Sequence, residues 1–331
     1  MLKEEYISHL VCPDCVGELR YKQAMRGKNN AIESGTLRCS QCGHEYRIEN
    51  YIPRFVPKEN YANNFGFQWN LHSRTQYDSS YSTGISRNRF FEQTEWPEDL
   101  TGEILLEVGS GSGRFTEPAA STGATIISTD YSNAVEANYA SNGAKENVFI
   151  VQSDVYALPF KKNYFDKVVC IGVLQHTPNP GKSFLCMPPY LKPGGRIAVD
   201  VYSKRWFTYL IYSKYWVRPF TRKMSSEKLY QLCSNHVDRM WPLSRLISRM
   251  PLGFRLNMLL LIPNYYGRFD LTNNQLKEWA KLDMFDMLSP QYDLPQSLGA
   301  VRKWLTEAGL TEIEVEYGWN GIEGRGVKPA S

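Results

Sequence analysis

The middle of the chain repeats a pattern of short apolar runs separated by longer amphipathic stretches. Each run holds five to seven residues, and the runs cover 104–108, 124–129, 147–151, 165–171 and 196–202. Runs of this length predict strands, and the stretches between them are long enough for helices. Strands that alternate with helices form a parallel sheet with helices on both faces. We therefore expect a doubly wound α/β fold with a mainly parallel sheet.

The pattern differs on both sides of this core. Residues 59–100 mix aromatic and polar positions and have helical character toward their end. Residues 203–300 form a long insertion that is helical by pattern. The chain then closes with a helix over 301–308 and two strand-like runs at 311–317 and 321–327, which predict an antiparallel hairpin.

Composition and charge narrow the class of protein. The chain has 331 residues, 42% of them hydrophobic and 22% charged, which is ordinary for a globular protein of about two domains. The net charge of +4 hides an asymmetry, because residues 203–255 hold eleven basic and two acidic side chains. Such a local field attracts anionic partners. The N-terminal sequence is too polar and acidic for a secretory signal, and no apolar run approaches roughly 18 residues. We expect a soluble, cytoplasmic protein.

Four of the seven cysteines form two Cys-x-x-Cys pairs, namely Cys12 with Cys15 and Cys39 with Cys42. Two such pairs complete the tetrahedral tetrathiolate set that structural zinc prefers, and they leave no open position for catalysis. A redox pair is the alternative, but a redox motif does not need doubling. A segment this small has little core of its own, so zinc would supply much of its folding energy.

Polar and glycine positions at successive strand ends indicate a ligand at the carboxyl edge of the sheet. The turn Gly109–Gly113 follows the first strand, and Asp130 and Asp154 follow the next two. A dinucleotide is disfavoured because Arg114 replaces the last glycine of its fingerprint. In addition, the Glu107 carboxylate would repel a diphosphate. A cationic nucleoside without phosphates meets neither objection.

The motifs LLEVGSGSGRF, STDYS, SDVYALPF, FDKVVCIGVLQHTPNP and LKPGGRIAVDVY resemble, in order and spacing, those of class I S-adenosylmethionine-dependent methyltransferases. The resemblance is closest to the quinone-biosynthesis subset. CPDC…LRCSQCGHEYRIENYIPRFVP resembles the zinc ribbons that are fused to, or partnered with, methyltransferases. These resemblances imply a seven-stranded Rossmann-like sheet and five parts: a zinc ribbon (1–58), a helical segment over the cofactor (59–100), the cofactor-binding core (101–202), a basic helical lid (203–300) and a C-terminal helix with strands (301–331).

The methyltransferase resemblance also implies which residues contact S-adenosylmethionine. The glycine turn would lie against the amino-acid part, with a carboxylate near its ammonium group. Further carboxylates would accept from the ribose hydroxyls and the adenine amine, while neighbouring residues would border adenosine and the methyl group. The implied contacts are Glu107, Gly109, Ser110, Gly111, Gly113, Asp130, Tyr131, Asp154, Val155 and Ile171.

The acceptor side is less clearly marked. His176 follows the fourth strand, and it is either a general base or a residue that shapes the pocket or binds cofactor. Residues 285–292 (FDMLSPQY) resemble a stretch of bacterial methyltransferases of secondary-metabolite and polysaccharide pathways. The acceptor candidates are Trp69, Arg74, Tyr202, Asp286 and Tyr292, although surface packing is an equal alternative for Trp69 and Arg74.

Our leading hypothesis is methyl transfer to a hydroxyl oxygen of a small or lipid-linked metabolite, such as a sugar, polyketide or quinone-type acceptor. An rRNA or tRNA base methyltransferase that uses the ribbon for RNA recognition is one alternative, and a non-catalytic scaffold is another. The basic, aromatic stretch at 205–223 (RWFTYLIYSKYWVRPFTRK) would suit an anionic acceptor, a peripheral membrane contact or, less well, nucleic acid. A simply solvated lid is the remaining interpretation, and the oligomeric state is not predicted.

Overall fold

The computed structural model describes residues 3–58, 60–205 and 208–330. Its N-terminal part is a small antiparallel sheet that follows a 3₁₀ turn at Glu4–His9. Pairing of the first two strands sets Leu19 opposite Cys39, which brings the two Cys-x-x-Cys pairs to the same end of the sheet. The strands pair in chain order, and they are β1 (Leu19–Arg26), β2 (Ile32–Cys39), β3 (Glu45–Glu49) and β4 (Ile52–Arg54).

Seven further strands form the central sheet: β5 (Ile104–Val108), β6 (Thr125–Asp130), β7 (Val148–Gln152), β8 (Phe165–Cys170), β9 (Leu191–Val201), β10 (Thr311–Gly318) and β11 (Gly321–Val327). Their order is β7-β6-β5-β8-β9-β11-β10. The strands from β5 to β9 are parallel, and β11 is antiparallel to both of its neighbours. The predicted doubly wound, Rossmann-like fold is confirmed.

Helices lie before, between and after these strands. Among the α-helices of the described residues, three precede the central sheet, three connect its parallel strands, five fill the insertion after β9, and one precedes β10. They are α1 (Asn63–Leu71), α2 (Asp78–Tyr81), α3 (Ile85–Thr94), α4 (Thr116–Ala120), α5 (Val135–Asn142), α6 (Pro180–Leu185), α7 (Thr208–Ile211), α8 (Lys214–Thr221), α9 (Ser226–Ser248), α10 (Gly253–Leu259), α11 (Asn273–Leu288) and α12 (Leu298–Glu307).

Both faces of the parallel strands of the central sheet are largely buried. Consecutive residues of β5 point to opposite faces, so Leu105 and Leu106 belong to two different apolar clusters, and both are fully buried. Phe90 of α3 packs into the first cluster, and Trp304 of α12 packs into the second. The carboxyl ends of the parallel strands are thereby held rigidly at one edge of the sheet.

The expected count of seven strands is not exact, because the ribbon joins the central sheet. Arg54 of β4 pairs in parallel with Gln152 of β7, and the Phe55 N–H donates to the Gln152 carbonyl at 2.8 Å. The result is one sheet of eleven strands. Tyr6 stacks on Phe149 with 5.1 Å between ring centroids and adds an apolar contact across the junction.

The insertion has an apolar core of its own. Buried residues of α9, among them Leu229 and Val237, pack with Leu276 and Phe285 of α11. Trp206 and Phe207 of the basic aromatic stretch lie outside the described residues. Within the part of the chain that the structure describes, no helix is both long and apolar enough to cross a bilayer.

Candidate functional site

The four predicted zinc ligands meet at one point of the ribbon. Their Sγ atoms all lie within 4.8 Å of one another, with 3.4 Å between Cys15 and Cys39 and 3.7 Å between Cys12 and Cys42. In a tetrathiolate zinc site the sulfur atoms lie roughly 3.8 Å apart. Backbone N–H groups of Cys42 and Gln41 lower the pKa of the Cys39 thiol to about 6, which favours the thiolate form that zinc requires. This arrangement fits a structural zinc ion.

The glycine turn after β5 has a backbone that other residues would not adopt. Gly109, Gly111 and Gly113 all have positive φ, at 80°, 54° and 89°. A Cβ atom on Gly113 would lie 2.1 Å from Asn138 Oδ1, and one on Gly109 would lie 2.2 Å from a Val173 methyl carbon. The turn therefore depends on glycine for both its dihedral angles and its close packing.

Glu107 lies beneath this turn as a buried carboxyl group. Its Oε2 accepts hydrogen bonds from the hydroxyls of Thr116 at 2.5 Å and Ser128 at 2.8 Å. Burial nevertheless raises the pKa of Glu107 to about 7. The Asn138 amide donates to the Ser110 and Ser128 hydroxyls at 3.0 and 2.9 Å, and it thereby ties the turn to the sheet. A buried carboxyl group in this state would gain from a nearby cation.

Asp130, at the end of β6, is held by donors on both oxygens. Its Oδ2 accepts from the Gly111 N–H at 2.8 Å, and its Oδ1 accepts from the Ser132 N–H and hydroxyl at 2.7 Å each. Burial raises the pKa of Asp130 above its usual range. Each carboxylate oxygen has two lone pairs, so Oδ1 is already fully used and Oδ2 can still accept one hydrogen bond from a ligand.

The next strand end adds a second carboxylate. Asp154 Oδ1 accepts from the Tyr156 N–H at 2.9 Å, and burial raises the pKa of Asp154. The Ser153 hydroxyl is buried and has no hydrogen-bond partner among the described residues. The rings of Tyr61 and Tyr131 lie 5.1 Å apart, and the nearby charge of Asp154 adds to the effect of burial in raising the pKa of Tyr61. The Ser153 hydroxyl at this edge is therefore available to a polar ligand group.

The remaining residues for which the resemblance implies a cofactor contact lie in apolar surroundings. Val155 is half-buried against the core cluster that contains Phe160, and Ile171 is buried directly after β8. Trp69 of α1 lies over the turn instead of over the acceptor side, because a Cβ on Gly111 would meet its Nε1 at 3.0 Å. Trp69 therefore covers the glycine turn.

His176 and three acceptor candidates come together beyond β8 and β9. The His176 Nδ1 lies 3.0 Å from the Tyr292 carbonyl oxygen, and its ring lies 5.4 Å from that of Tyr202. The Tyr202 hydroxyl donates to Asp286 Oδ2 at 3.3 Å. Burial raises the pKa of Tyr202 well above its usual range, so this hydroxyl stays protonated as a donor.

Arg74 does not join this group. Its side chain is exposed and donates to the hydroxyls of Ser80 at 3.1 Å and Ser79 at 3.2 Å. Its neighbour in sequence, His72, is buried between Thr75 and Tyr230. These contacts are those of local packing.

Two glutamines that the sequence analysis did not single out belong to the same region. Gln68 donates from Nε2 to Asp286 Oδ1 at 3.3 Å, while its own Oε1 is buried and unpartnered among the described residues. Gln175 precedes His176 and is fully buried. Neither its Nε2 nor its Oε1 has a hydrogen-bond partner in the residues that the structure describes. A buried amide without partners is costly, so it indicates a site for a polar ligand group. In the sequence, only the position of Gln175 within the motif after the fourth strand hinted at this.

Comparison with known proteins agrees with this geometry. Residues 106–199 match the family model described as "Methyltransferase domain", and residues 7–50 match the one described as "Trm112p-like protein". The chain contains a class I methyltransferase domain, which follows a Trm112-like zinc ribbon in the sequence. The glycine turn, Glu107, Asp130 and Asp154 of this methyltransferase domain fit S-adenosylmethionine, the cofactor of the class, because they offer carboxylates and backbone groups and no basic phosphate-binding side chain.

The curated relatives include quinone-biosynthesis methyltransferases at low identity. A demethylmenaquinone methyltransferase of Renibacterium salmoninarum is 27% identical over 149 residues, which is 43% of this chain and 62% of that protein. A ubiquinone biosynthesis O-methyltransferase of Coxiella burnetii is 28% identical over 114 residues, 34% of this chain and 48% of that protein. A ubiquinone/menaquinone biosynthesis C-methyltransferase of Francisella philomiragia is 30% identical over 110 residues, 31% and 44% of the two chains. The chain thus spans less than two thirds of each relative.

Among solved structures, the chain is similar to one from the complex of the Haloferax volcanii Trm112 methyltransferase activator with a methyltransferase. The TM-score is 0.45 at 14% identity, and the similarity covers 81% of this chain and 98% of that one.

The first prediction concerns Asp130. We expect Asp130→Asn to weaken S-adenosylmethionine binding about 10- to 100-fold, because the variant loses charged hydrogen bonds to the ribose hydroxyls worth about 1.5–3 kcal/mol. Isothermal titration calorimetry measures the affinity. Ser132→Ala is the matched control, since it removes one bond to Asp130 and keeps the charge. Equal affinity in the Asn variant and the wild type would exclude a ribose contact at this position.

The second prediction uses the raised pKa of Glu107. The folded protein holds this proton to about pH 7, whereas the usual pKa is 4.5, so the folded state binds more protons than the unfolded state between these values. The free energy of unfolding contributed by this group therefore falls as pH rises from about 4.5 to about 7. We expect Glu107→Gln, without cofactor, to gain up to about 3 kcal/mol relative to wild type at pH 8 compared with pH 4.5. Urea unfolding at both pH values tests this, and a constant difference between the two proteins would contradict it.

Proposed function

We propose that the chain transfers a methyl group from S-adenosylmethionine to a hydroxyl oxygen of a small or lipid-linked, quinone-type metabolite, with His176 as general base. The observation that carries this proposal is the hydrogen bond from His176 to the Tyr292 carbonyl. A carbonyl oxygen only accepts, so in the neutral ring Nδ1 bears the proton. Nε2 is then the basic nitrogen, and no described residue donates to it.

The surroundings of His176 suit proton transfer. Its ring is buried between those of Phe65 and Tyr202, at 5.1 and 5.4 Å, so bulk water is kept away. Against the effect of burial, the charges of Lys214 and His176 hold the pKa of Asp293 below its usual range. The Asp293 carboxylate therefore offers negative charge close to the imidazolium that forms when His176 takes a proton.

Gln175, Gln68 and Tyr202 supply the polar contacts that an oxygen-rich acceptor needs. The free amide of Gln175 offers a donor and an acceptor, and Gln68 offers an acceptor. A cavity of about 140 Å³ lies between α1 and the lid, and it is lined by Tyr61, Asn64, Arg222, Met224, Ser226, Leu229, Ser289 and Gln291. Arg222 at this cavity would attract an anionic group on the acceptor.

The bound cofactor supplies an electrophilic methyl group on a sulfonium. His176 Nε2 would take the acceptor's hydroxyl proton as that oxygen accepts the methyl group. S-adenosylmethionine, held by the glycine turn, Asp130 and Asp154, would supply the methyl group and retain the electron pair of the carbon–sulfur bond. Gln175 and the Tyr202 hydroxyl oxygen would bind and orient the acceptor, and Trp69 would close the glycine turn from water. Orientation of the substrate and general base catalysis are the ways in which a protein accelerates methyl transfer from this cofactor.

The names of the relatives support the substrate class. They include an O-methyltransferase and a C-methyltransferase of quinone biosynthesis. The methylated atom therefore has to be measured.

The test is a methyl-transfer assay with labelled S-adenosylmethionine and the full chain. A hydroxylated polyprenyl quinone precursor is the proposed acceptor, and total RNA and the same precursor with its hydroxyl already methylated are the controls. We expect label only in the free hydroxyl compound, with fragmentation that places the methyl on oxygen. Methylated RNA would favour a nucleic-acid substrate. Cofactor binding by calorimetry without transfer to any acceptor would favour a scaffold role.

A further inference from the structure

The lid exposes apolar side chains far more densely than the rest of the molecule. Among the described residues, 12 of the 19 exposed large hydrophobic side chains lie between Tyr209 and Leu259. Trp216 is 61% exposed, Phe220 75%, Leu246 62% and Leu252 66%. Single exposed apolar residues are normal, but a concentration of this kind marks a surface that meets an apolar partner.

These side chains recur at helical spacing on three helices. Trp216 and Phe220 are four residues apart on α8. On α9, Leu232, Leu243 and Leu246 lie on one side, because spacings of eleven and three residues return to nearly the same direction. Leu252, at the start of α10, is followed by Leu256 and Leu259 at spacings of four and three residues, so these three also lie on one side of their helix. Met250 lies between the last two helices.

The helices α9 and α10 pack against each other, and the start of α8 contacts the end of α10. The Ser213 hydroxyl donates to the Met258 carbonyl at 3.2 Å, which joins the start of α8 to the end of α10. The His236 Nε2 donates to the Leu260 carbonyl at 2.9 Å, which joins α10 to the middle of α9. We name the exposed apolar residues of these helices, together with the basic residues described next, the lid surface.

Basic residues surround the apolar ones. Seven of them are exposed, and none forms a salt bridge with a carboxylate among the described residues: Arg222, Lys223, Lys228, Arg239, Arg245, Arg249 and Arg255. The only acidic residues in this stretch are Glu227 and Asp238, and Asp238 already pairs with Lys277 and Lys281. The lid surface therefore carries uncompensated positive charge.

We propose that the lid surface docks on an anionic lipid bilayer, with its leucines and Trp216 in the interface and its arginines and lysines at the headgroups. An apolar helix face with a basic border is the arrangement of interfacial helices, and clustered basic residues favour anionic lipids by about 1 kcal/mol each. A second copy of this chain is a poor occupant, because a symmetric contact would bring two sets of seven uncompensated cations together. RNA would leave the leucines without a partner.

The apolar part of this surface differs from the stretch that the sequence suggested. Within 205–223, Lys214 is largely buried in an ion pair with Asp293 at 2.7 Å and lies over the ring of Tyr215, so these two residues serve the interior. Six exposed leucines of α9 and α10, counting Leu252 at the start of α10, lie outside that stretch. Arg222 and Met224 line the cavity described above, so the surface adjoins the opening through which a lipid-linked acceptor would enter.

Vesicle flotation with the full chain tests the proposal, and it requires neither cofactor nor acceptor. Wild type should float with vesicles of equal parts phosphatidylcholine and phosphatidylglycerol, bind phosphatidylcholine alone at least about tenfold less, and be released by high salt. The double variants Leu246→Ser/Leu252→Ser and Arg245→Glu/Arg249→Glu should each lose about tenfold or more in partitioning. Met25→Ser and Arg302→Glu, which change exposed residues away from the lid, are the matched controls and should bind as wild type.

Circular dichroism and thermal unfolding check that every variant is folded. The proposal is overturned if folded wild type fails to bind the anionic vesicles, or if the lid variants bind as well as the controls. It is also overturned if the wild-type protein does not bind vesicles but binds RNA or associates with itself, and the lid variants lose that binding. If the wild-type protein binds the vesicles but transfers no methyl group to the proposed acceptor, the proposed function fails and this inference stands.

Discussion

His176→Gln should lower kcat about a hundredfold or more while leaving the affinity for S-adenosylmethionine unchanged. Loss of a positioned general base costs about 10²–10⁴ in rate. Glutamine is the informative replacement because its amide can still donate to the Tyr292 carbonyl, as His176 does at 3.0 Å. The rate of methyl transfer is measured in single turnovers with saturating cofactor and acceptor. The affinity for S-adenosylmethionine is measured by a separate calorimetric titration.

His236→Gln provides the matched control, since this lid histidine hydrogen-bonds the Leu260 carbonyl and lies outside the acceptor region. It should keep the wild-type rate. The pH–rate profile adds a second reading, because removal of the base should abolish the rise of kcat with pH that its deprotonation produces. A His176 variant with a normal rate, or with a loss confined to cofactor affinity, would assign this residue to shaping the pocket or holding the cofactor.

Loss of the zinc site should affect the cofactor site as well as the ribbon. Structural zinc supplies about 10 kcal/mol or more of folding free energy in small zinc modules. We therefore expect Cys39→Ser to unfold the ribbon and to lower S-adenosylmethionine affinity about tenfold. The connection runs through Arg54, which donates to Gln152 Oε1 at 2.8 Å, while Gln152 Nε2 donates to the Tyr131 carbonyl at 3.1 Å. Tyr131 directly follows Asp130, so an unfolded β4 releases the loop that holds this carboxylate.

Two further variants separate the causes. Cys186→Ser changes a cysteine outside the zinc cluster and should leave zinc content, stability and affinity unchanged. Arg54→Gln should keep the zinc ion, measured by metal analysis, and still weaken cofactor binding. If the Cys39 variant loses zinc and retains full cofactor affinity, the ribbon serves only its own stability.

The strand ends of the central domain were predictable because a parallel sheet gathers them at one edge. Asp130 was named from the sequence for this reason, and Glu107 from its position before the glycine turn and from the methyltransferase resemblance. The structure places both at the glycine turn. Element boundaries were less accurate. β9 begins at Leu191 instead of residue 196, because the backbone of the Pro193–Gly195 turn continues the strand.

Features that depend on distant parts of the chain were not predictable. Gln68 and Tyr61 lie in a segment without a motif, and only the fold brings them to Asp286 and Asp154. The extension of the sheet to eleven strands depends on one parallel pairing between Arg54 and Gln152. The exposed leucines of α9 follow the same spacing as its buried ones, so the sequence did not indicate which side would face α11.

The junction between β4 and β7 has a consequence for how the two modules stay associated. Because both modules belong to one polypeptide, their docking is an intramolecular event whose effective concentration does not fall on dilution. One ribbon is therefore supplied to each catalytic domain at any expression level, and no free pool of unpaired subunits arises.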